Sequence, residues 1–117
     1  MVPFSSARQY YLYRQPTDMR KSFNGLTGIV RNELGSDPVK GDVYIFINRR
    51  RDRIKLLVWD RSGFVIYYKC LERGTFELPQ FDKQRQSYQM KWEELVLILE
   101  GVALKSVRRR KRFSLAK

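Results

Sequence analysis

The sequence predicts a single α+β domain: an antiparallel β-meander of four to six strands, two helices packed on one face of it, and a basic C-terminal tail. Three observations lead to this prediction. Strand-like segments joined by short turns fill residues 42–78, and segments with helical spacing lie on either side of them. The last segment, residues 105–117, carries seven Lys or Arg and no acid. We therefore divide the chain into a domain, residues 1–104, and a tail, residues 105–117, that we expect to be flexible.

The first part of the chain predicts one strand and one helix. Residues 9–14 are rich in aromatic side chains, and Pro16 ends this strand. Thr17 or Asp18 is placed to cap a helix, because a short side-chain oxygen can accept from the free N–H groups of the first turn. Apolar residues then recur every three or four positions, as on one face of a helix: Met19, Phe23, Leu26, Val30 and Leu34. Gly35 is expected in the left-handed conformation that ends such a helix.

The middle of the chain predicts the meander. Residues 42–48 are apolar at nearly every position and indicate a central strand, and residues 53–59 and 64–70 are β-branched and aromatic. The turn between the last two strands fits a type I turn with Gly63 in the left-handed position. Residues 74–78 are interpreted as a fourth, short strand of the same meander.

The end of the domain is polar and then helical. Residues 80–90 read as a loop with room for one edge strand. A second, shorter amphipathic helix follows, closed by Gly101, and its apolar face is formed by Trp92, Leu95, Leu99 and Val102.

The composition excludes several classes of protein. The chain has no histidine and one cysteine, Cys70, which excludes histidine-based catalytic triads and Cys/His zinc sites. Neither of the common glycine-rich phosphate loops occurs, and we expect no cofactor. The longest apolar run, residues 95–99, is far shorter than the roughly 20 residues of a membrane helix. No secretory signal is recognisable, so we expect a cytoplasmic, nucleoid-associated protein.

The charge predicts a polyanionic partner. Twenty-four Lys and Arg face twelve Asp and Glu, a net charge of +12, and arginine predominates in an internal cluster and in the tail. A merely solvated tail is the alternative for that segment. Arg20 and Lys21 are placed in the first turn of the first helix, whose N-terminus adds attraction for phosphate. The candidate DNA-binding residues are Arg20, Lys21, Arg49, Arg50, Arg51, Arg53, Lys55, Arg73, Arg108, Arg109, Arg110, Lys111 and Arg112.

Two other kinds of site have weaker support. Carboxylates could hold Mg²⁺ in a nuclease, but pairing with the neighbouring cations is the favoured interpretation. The acids in question are Asp18, Asp42, Asp52, Asp60 and Glu72. Tyrosines could stack on single-stranded bases, but aromatics in a meander are more often core residues and cross-strand pairs. The tyrosines in question are Tyr10, Tyr11, Tyr13, Tyr44, Tyr67 and Tyr68. Trp59 and Trp92 are interpreted as core, and Cys70 as an inert buried thiol.

Four segments of the chain together resemble one known family. They are residues 18–21 (DMRK), 41–60 (GDVYIFINRRRDRIKLLVWD), 63–76 (GFVIYYKCLERGTF) and 99–102 (LEGV). The chain is similar over roughly residues 8–102 to the TnpB-type accessory protein, the second open reading frame product, of the insertion sequence 66 family of bacterial transposons. Cys70 departs from the family pattern, which usually has arginine there, and Lys91 stands where Ser or Thr is common.

The resemblance implies a protein that is needed for transposition beside a separate, larger transposase, which would hold the catalytic centre. No catalytic residue is implied for this chain, and we expect it not to be an enzyme. Together with the charge, the resemblance predicts an accessory factor that binds the phosphate backbone of double-stranded DNA at transposon ends, with weak sequence preference. The alternative is an adaptor that docks on the transposase without binding DNA. No membrane partner is expected.

Overall fold

A computed structural model of the chain describes residues 3–80, 82 and 84–101. The elements in chain order are β1 (Tyr10–Tyr13), α1 (Phe23–Asn32), a 3-10 turn (Pro38–Lys40), β2 (Val43–Ile47), β3 (Arg53–Asp60), β4 (Gly63–Cys70), β5 (Ser87–Met90) and α2 (Trp92–Leu99). These elements confirm the α+β class, and β5 is the edge strand expected within residues 80–90. The basic tail and Val102 lie outside the described residues.

The five strands form one mixed sheet in the order β4-β3-β2-β1-β5, with β2 at the centre as predicted. β2, β3 and β4 form an antiparallel meander. β1, however, pairs parallel to β2, with Tyr10 opposite Val43, so the fully antiparallel sheet is wrong. The reason is that α1 connects β1 to β2, and a helical crossover returns the chain in its original direction.

The helices pack on opposite faces of this sheet, and the prediction that they share one face is wrong. One core, on the α1 face, contains Tyr13, Leu26, Val30, Tyr44, Phe46 and Leu57. The other, on the α2 face, includes Val43, Ile45, Ile47, Leu56, Leu95 and Ile98. All five residues of β2 are buried, because its side chains alternate between the two cores. A strand that is apolar on both faces needs a covering layer on each of them.

The first helix begins at Phe23, later than the sequence predicts. Residues 17–21 instead form a separate turn, in which Asp18 Oδ1 accepts from the Arg20 backbone N–H at 2.9 Å. The Lys21 N–H donates to the Asp18 carbonyl at 3.1 Å. Arg20 and Lys21 therefore precede the helix and do not lie in its first turn. The predicted end of the helix is confirmed, since Gly35 has a φ of +60°.

Two local predictions are corrected in the second half of the domain. Residues 74–78 contain no strand, because Gly74 has a φ of +75° and the Phe76 N–H donates to the Arg51 carbonyl across the end of the sheet. Arg61, with a φ of +61°, takes the left-handed position of the β3–β4 turn, whereas Gly63 pairs with Asp60 in the ladder.

Three side chains are less buried than the sequence suggests. Cys70, the last residue of the edge strand β4, is exposed and not buried. Trp59 and Trp92 are only partly buried. Each tryptophan nevertheless packs on a neighbouring ring, with centroids 5.0 Å apart for Trp59 and Phe64 and 5.5 Å apart for Tyr10 and Trp92. Trp92 packs against the core on the α2 face, and Trp59 is joined through Phe64 to the core on the α1 face.

Candidate nucleic-acid interface

A cleft of about 600 Å³ lies between the residue 17–21 turn and the β2–β3 turn. Its charged lining residues are Asp18, Arg20, Arg49, Arg50, Asp52 and Arg53, and Tyr68 of β4 also lines it. Cations outnumber acids there by four to two. The fold thus brings Arg20 together with an arginine cluster that lies about 30 positions later in the chain. The four arginines that line the cleft, Arg20, Arg49, Arg50 and Arg53, are all residues that the sequence predicts to bind DNA.

The β2–β3 turn is organised by Asn48. Its Oδ1 accepts from the Asp52 N–H at 3.1 Å and from the Arg53 N–H at 2.9 Å, and its Nδ2 donates to Asp52 Oδ1 at 2.6 Å. This hydrogen bond from Asn48 lowers the pKa of the Asp52 carboxyl. Arg51 closes the turn in the left-handed conformation, with a φ of +59°. Arg49 and Arg50 are exposed at its tip.

The residue 17–21 turn presents Arg20. Its Nε donates to both carboxylate oxygens of Asp18 at 3.0 and 3.1 Å, and its Nη2 donates to Oδ2 at 2.7 Å. The side-chain hydrogen bonds from Arg20 lower the pKa of Asp18 to about 2, and the same bonds raise the pKa of Arg20. The Arg20 side chain is 92% exposed, so this pairing orients a guanidinium that an external phosphate can still reach.

Lys55 is not available to DNA, and its prediction as a phosphate ligand is corrected. The residue is only 7% exposed. Its Nζ donates to the Met19 carbonyl at 2.8 Å and to the Lys21 carbonyl at 2.7 Å, which ties the residue 17–21 turn to β3. Lys55 is buried because β3 places it on the same face of the sheet as α1.

Of the remaining predicted cations, Lys21, Arg51 and Arg73 are among the described residues, and none of them lines the cleft. Arg51 lines a separate depression with Arg14 and Leu78. Lys21 is exposed, and its side chain lies against Gly25 of α1. Arg73 is exposed in the segment that follows β4. The tail candidates Arg108, Arg109, Arg110, Lys111 and Arg112 lie outside the described residues.

The acids form no candidate metal centre in the part of the chain that the structure describes: no group of three or more Cys, Asp or Glu side chains is close enough to share an ion. Ion pairs join Asp60 to Arg8 at 3.6 Å and Asp42 to Lys40 at 3.8 Å, which agrees with the favoured interpretation of these carboxylates. Over residues 3–80, 82 and 84–101, no helix is long and apolar enough to cross a membrane.

The six candidate tyrosines fall into three groups. Tyr11 is partly buried against the α1-face core and stacks on Tyr44, with ring centroids 6.0 Å apart. Tyr10, Tyr13 and Tyr44 are buried, as the core interpretation predicts, and burial raises the pKa of each hydroxyl. Tyr67 and Tyr68, on the edge strand β4, are 38% and 47% exposed.

Tyr68, one of the six tyrosines considered for base stacking but interpreted rather as a core or cross-strand residue, lines the cleft. Its hydroxyl accepts from Arg53 Nη1 at 3.3 Å, and this hydrogen bond raises the pKa of Arg53. The sequence could not distinguish Tyr68 from the buried tyrosines, because its exposure depends on the position of β4 at the sheet edge, which follows from strand order and not from composition.

Comparison with known proteins agrees with the resemblance. The family model for IS66 Orf2-like proteins matches residues 8–109. The uncharacterized protein y4jC of Sinorhizobium fredii (strain NBRC 101917 / NGR234) is 35% identical over 110 residues, which cover 94% of this chain and 92% of the relative. The uncharacterized protein y4hO of the same strain is 29% identical over 79 residues, or 68% of this chain and 69% of the relative. No solved structure matches the chain.

The family match spans β1 through α2, and therefore includes the turns that form the cleft. Since that match and y4jC both extend over most of the chain, the likeness belongs to the whole domain and not to one motif. This chain belongs to the IS66 Orf2-like family, whose members are accessory proteins of transposition.

Proposed function

We propose that this protein is a non-catalytic accessory factor that binds the phosphate backbone of DNA beside the transposase of its element. The observation that carries the proposal is the cleft, in which Arg20, Arg49, Arg50 and Arg53 converge from two separate segments. Arginine suits this task, because its planar guanidinium can hold two phosphate oxygens at once and is weakly hydrated. In this proposal the protein works in the cytoplasm, on the nucleoid.

The location of the arginines supports weak sequence preference. Arg20, Arg49 and Arg50 lie on turns and Arg53 is the first residue of β3, whereas direct base reading in the major groove uses a helix or a two-stranded ribbon that enters the groove. Contacts to phosphate fix where a protein sits but carry no sequence information. We therefore expect similar affinities for a transposon end and for a scrambled duplex.

Fluorescence anisotropy with both duplexes, repeated across a salt series, tests the proposal. Neutralising two arginines of the cleft in the variant Arg49→Gln/Arg50→Gln should weaken binding equally for both sequences. It should also reduce the slope of log affinity against log salt by about 0.9 for each phosphate that the variant no longer neutralises. Arg61→Gln is the matched control. It removes an exposed arginine from the turn at the other end of β3, roughly 25 Å away, and should leave the slope unchanged.

The full chain and a chain ending at Leu104 should be compared in the same experiment. A shallower slope for the shorter chain would assign additional phosphate binding to the basic tail. Equal reductions in affinity for the cleft variant and the Arg61→Gln control would contradict the assignment of phosphate binding to the cleft. Absence of binding by the full chain at about 50 mM salt would overturn DNA binding and leave the transposase adaptor as the working function.

A further inference from the structure

Tyr68 places an aromatic surface among the arginines of the cleft. It lies on the edge strand β4, directly opposite Lys55 of β3. The residue is 47% exposed, although large aromatic side chains in the same sheet, such as Tyr44 and Phe46, are buried. An exposed ring beside several cations is the combination that single-stranded nucleic acids recognise, with bases on the ring and phosphates on the cations.

The Tyr68 ring is held in place by two neighbours. Arg53 Nη1 donates to its hydroxyl at 3.3 Å. Lys55 Nζ lies 4.7 Å from the ring centroid, and that ammonium is itself fixed by the carbonyls of Met19 and Lys21. A ring that is already positioned loses little conformational freedom when a base stacks on it, so more of the stacking energy is available for binding.

The residues around the Tyr68 ring are suited to bind the phosphate of a nucleotide whose base stacks on the ring. Arg20, Arg49 and Arg50 line the same cleft and supply positive charge for a phosphate. The cleft volume of about 600 Å³ lies within the range of ordinary small-ligand sites. The base, however, can reach the ring only when it is unpaired, because in a duplex each base is already stacked and must be flipped out at a cost.

We infer that the cleft binds an unpaired nucleotide of single-stranded DNA, with the base on Tyr68 and the flanking phosphates on Arg20, Arg49 and Arg50. The inference rests on the proposed DNA-binding function and specifies the form of DNA that the cleft prefers. Binding of duplex phosphates by the same arginines is independent of it, since contacts to phosphate need no free base.

Tyr67 provides the matched control. It is the adjacent residue on β4, is 38% exposed, and lies on the opposite face of the sheet, where its ring packs edge-on against Phe4 with centroids 6.1 Å apart. It does not line the cleft. Tyr67→Leu therefore removes a similarly exposed ring from the same strand without changing the proposed site.

The test uses the full chain and a labelled oligonucleotide of about ten nucleotides, offered as a single strand and as the blunt duplex. Tyr68→Leu should lower single-strand affinity by about 5- to 140-fold, the loss of one stacked base, and duplex affinity by less than about twofold. Tyr68→Phe keeps the ring and should retain most of the affinity, and Tyr67→Leu should bind as the unaltered chain does. A 5-iododeoxyuridine in the single strand should photo-crosslink to Tyr68, mapped by mass spectrometry.

The outcomes separate this inference from the function on which it rests. If Tyr68→Leu lowers single-strand and duplex affinity equally, or if the crosslink maps elsewhere while duplex binding persists, the stacking site is wrong and the DNA-binding function stands. If the unaltered chain binds neither DNA, both are wrong. Should Tyr68→Leu fail to fold, the crosslink on the unaltered chain and the affinity of Tyr68→Phe still decide the matter.

Discussion

Lys55 joins β3 to the residue 17–21 turn through a single buried ammonium group, which donates hydrogen bonds to the carbonyls of Met19 and Lys21. Lys55→Met keeps most of the apolar stem but leaves both carbonyls without their charged donor. We expect the free energy of unfolding to fall by about 1–3 kcal/mol, measured by urea denaturation.

Lys40→Met is the control for that measurement. The Lys40 side chain is 69% exposed and its Nζ lies 3.8 Å from Asp42 Oδ2, so this change should cost under about 0.5 kcal/mol. Equal effects of the two substitutions would show that the Lys55 hydrogen bonds do not stabilise the fold.

Asp18 is the residue whose titration reports on the cleft. Its pKa in the folded protein is about 2, below the ordinary 3.8, chiefly because Arg20 donates to its carboxylate. A lowered pKa means that this pairing stabilises the fold above about pH 4 and is lost as the pH falls through about 2. A carboxyl-carbon NMR titration should find the Asp18 midpoint near pH 2.

The same titration on Arg20→Gln should move that midpoint back toward 3.8, the ordinary value. An unchanged midpoint in this variant would mean that Arg20 is not the cause of the low pKa. Because Asp18 stays charged above about pH 4, an incoming phosphate always competes with it for Arg20.

At the scale of the element, two glycines of the α1 region have opposite effects on the stability of the protein. Gly35 follows the helix with a φ of +60°, where any other residue is strained, although nothing lies within 4 Å of a Cβ added there. Gly28 lies inside the helix, where its φ is not positive, and here too nothing lies within 4 Å of an added Cβ. Gly35→Ala should therefore destabilise the protein by about 1 kcal/mol, whereas Gly28→Ala should stabilise it by about 0.5–1 kcal/mol. Thermal unfolding followed by circular dichroism measures both changes, and shifts of the same sign would contradict this assignment.

The start of α1 shows why apolar spacing alone placed the helix too early. Met19 fits the helical period and does pack against the same core as Leu26 and Val30. It reaches that core from the residue 17–21 turn, which is held by Asp18 and Lys55. The spacing correctly predicted the buried positions, but it could not distinguish a helical turn from a turn that is tied to the sheet.

At the scale of the whole molecule, the sheet separates two cores. Leu26 of α1 is 0% exposed and Ile98 of α2 is 1% exposed, and they lie on opposite faces of the sheet. Since packed layers are about 10 Å apart, the two helices are separated by roughly 20 Å. We expect Leu26→Ala to cost about 2–5 kcal/mol and Ile98→Val about 0.5–1.5 kcal/mol. In the double variant the two effects should add to within about 0.5 kcal/mol, as measured by denaturant unfolding. A larger coupling energy would indicate that the helices share one core.

By itself, the sequence determined the α+β class, the central strand, the end of α1 at Gly35 and the arginine-rich turn between β2 and β3. These features follow from local chemistry, namely side-chain period, glycine conformation and charge. Strand order and the parallel β1–β2 pairing were decided only by tertiary structure, because each depends on which segments meet across long stretches of chain. The same holds for the cleft. Arg20 meets Arg53 because Lys55 ties the residue 17–21 turn to β3, and the burial of Lys55 and the exposure of Tyr68 result from strand order and cross-strand pairing, which no local pattern encodes.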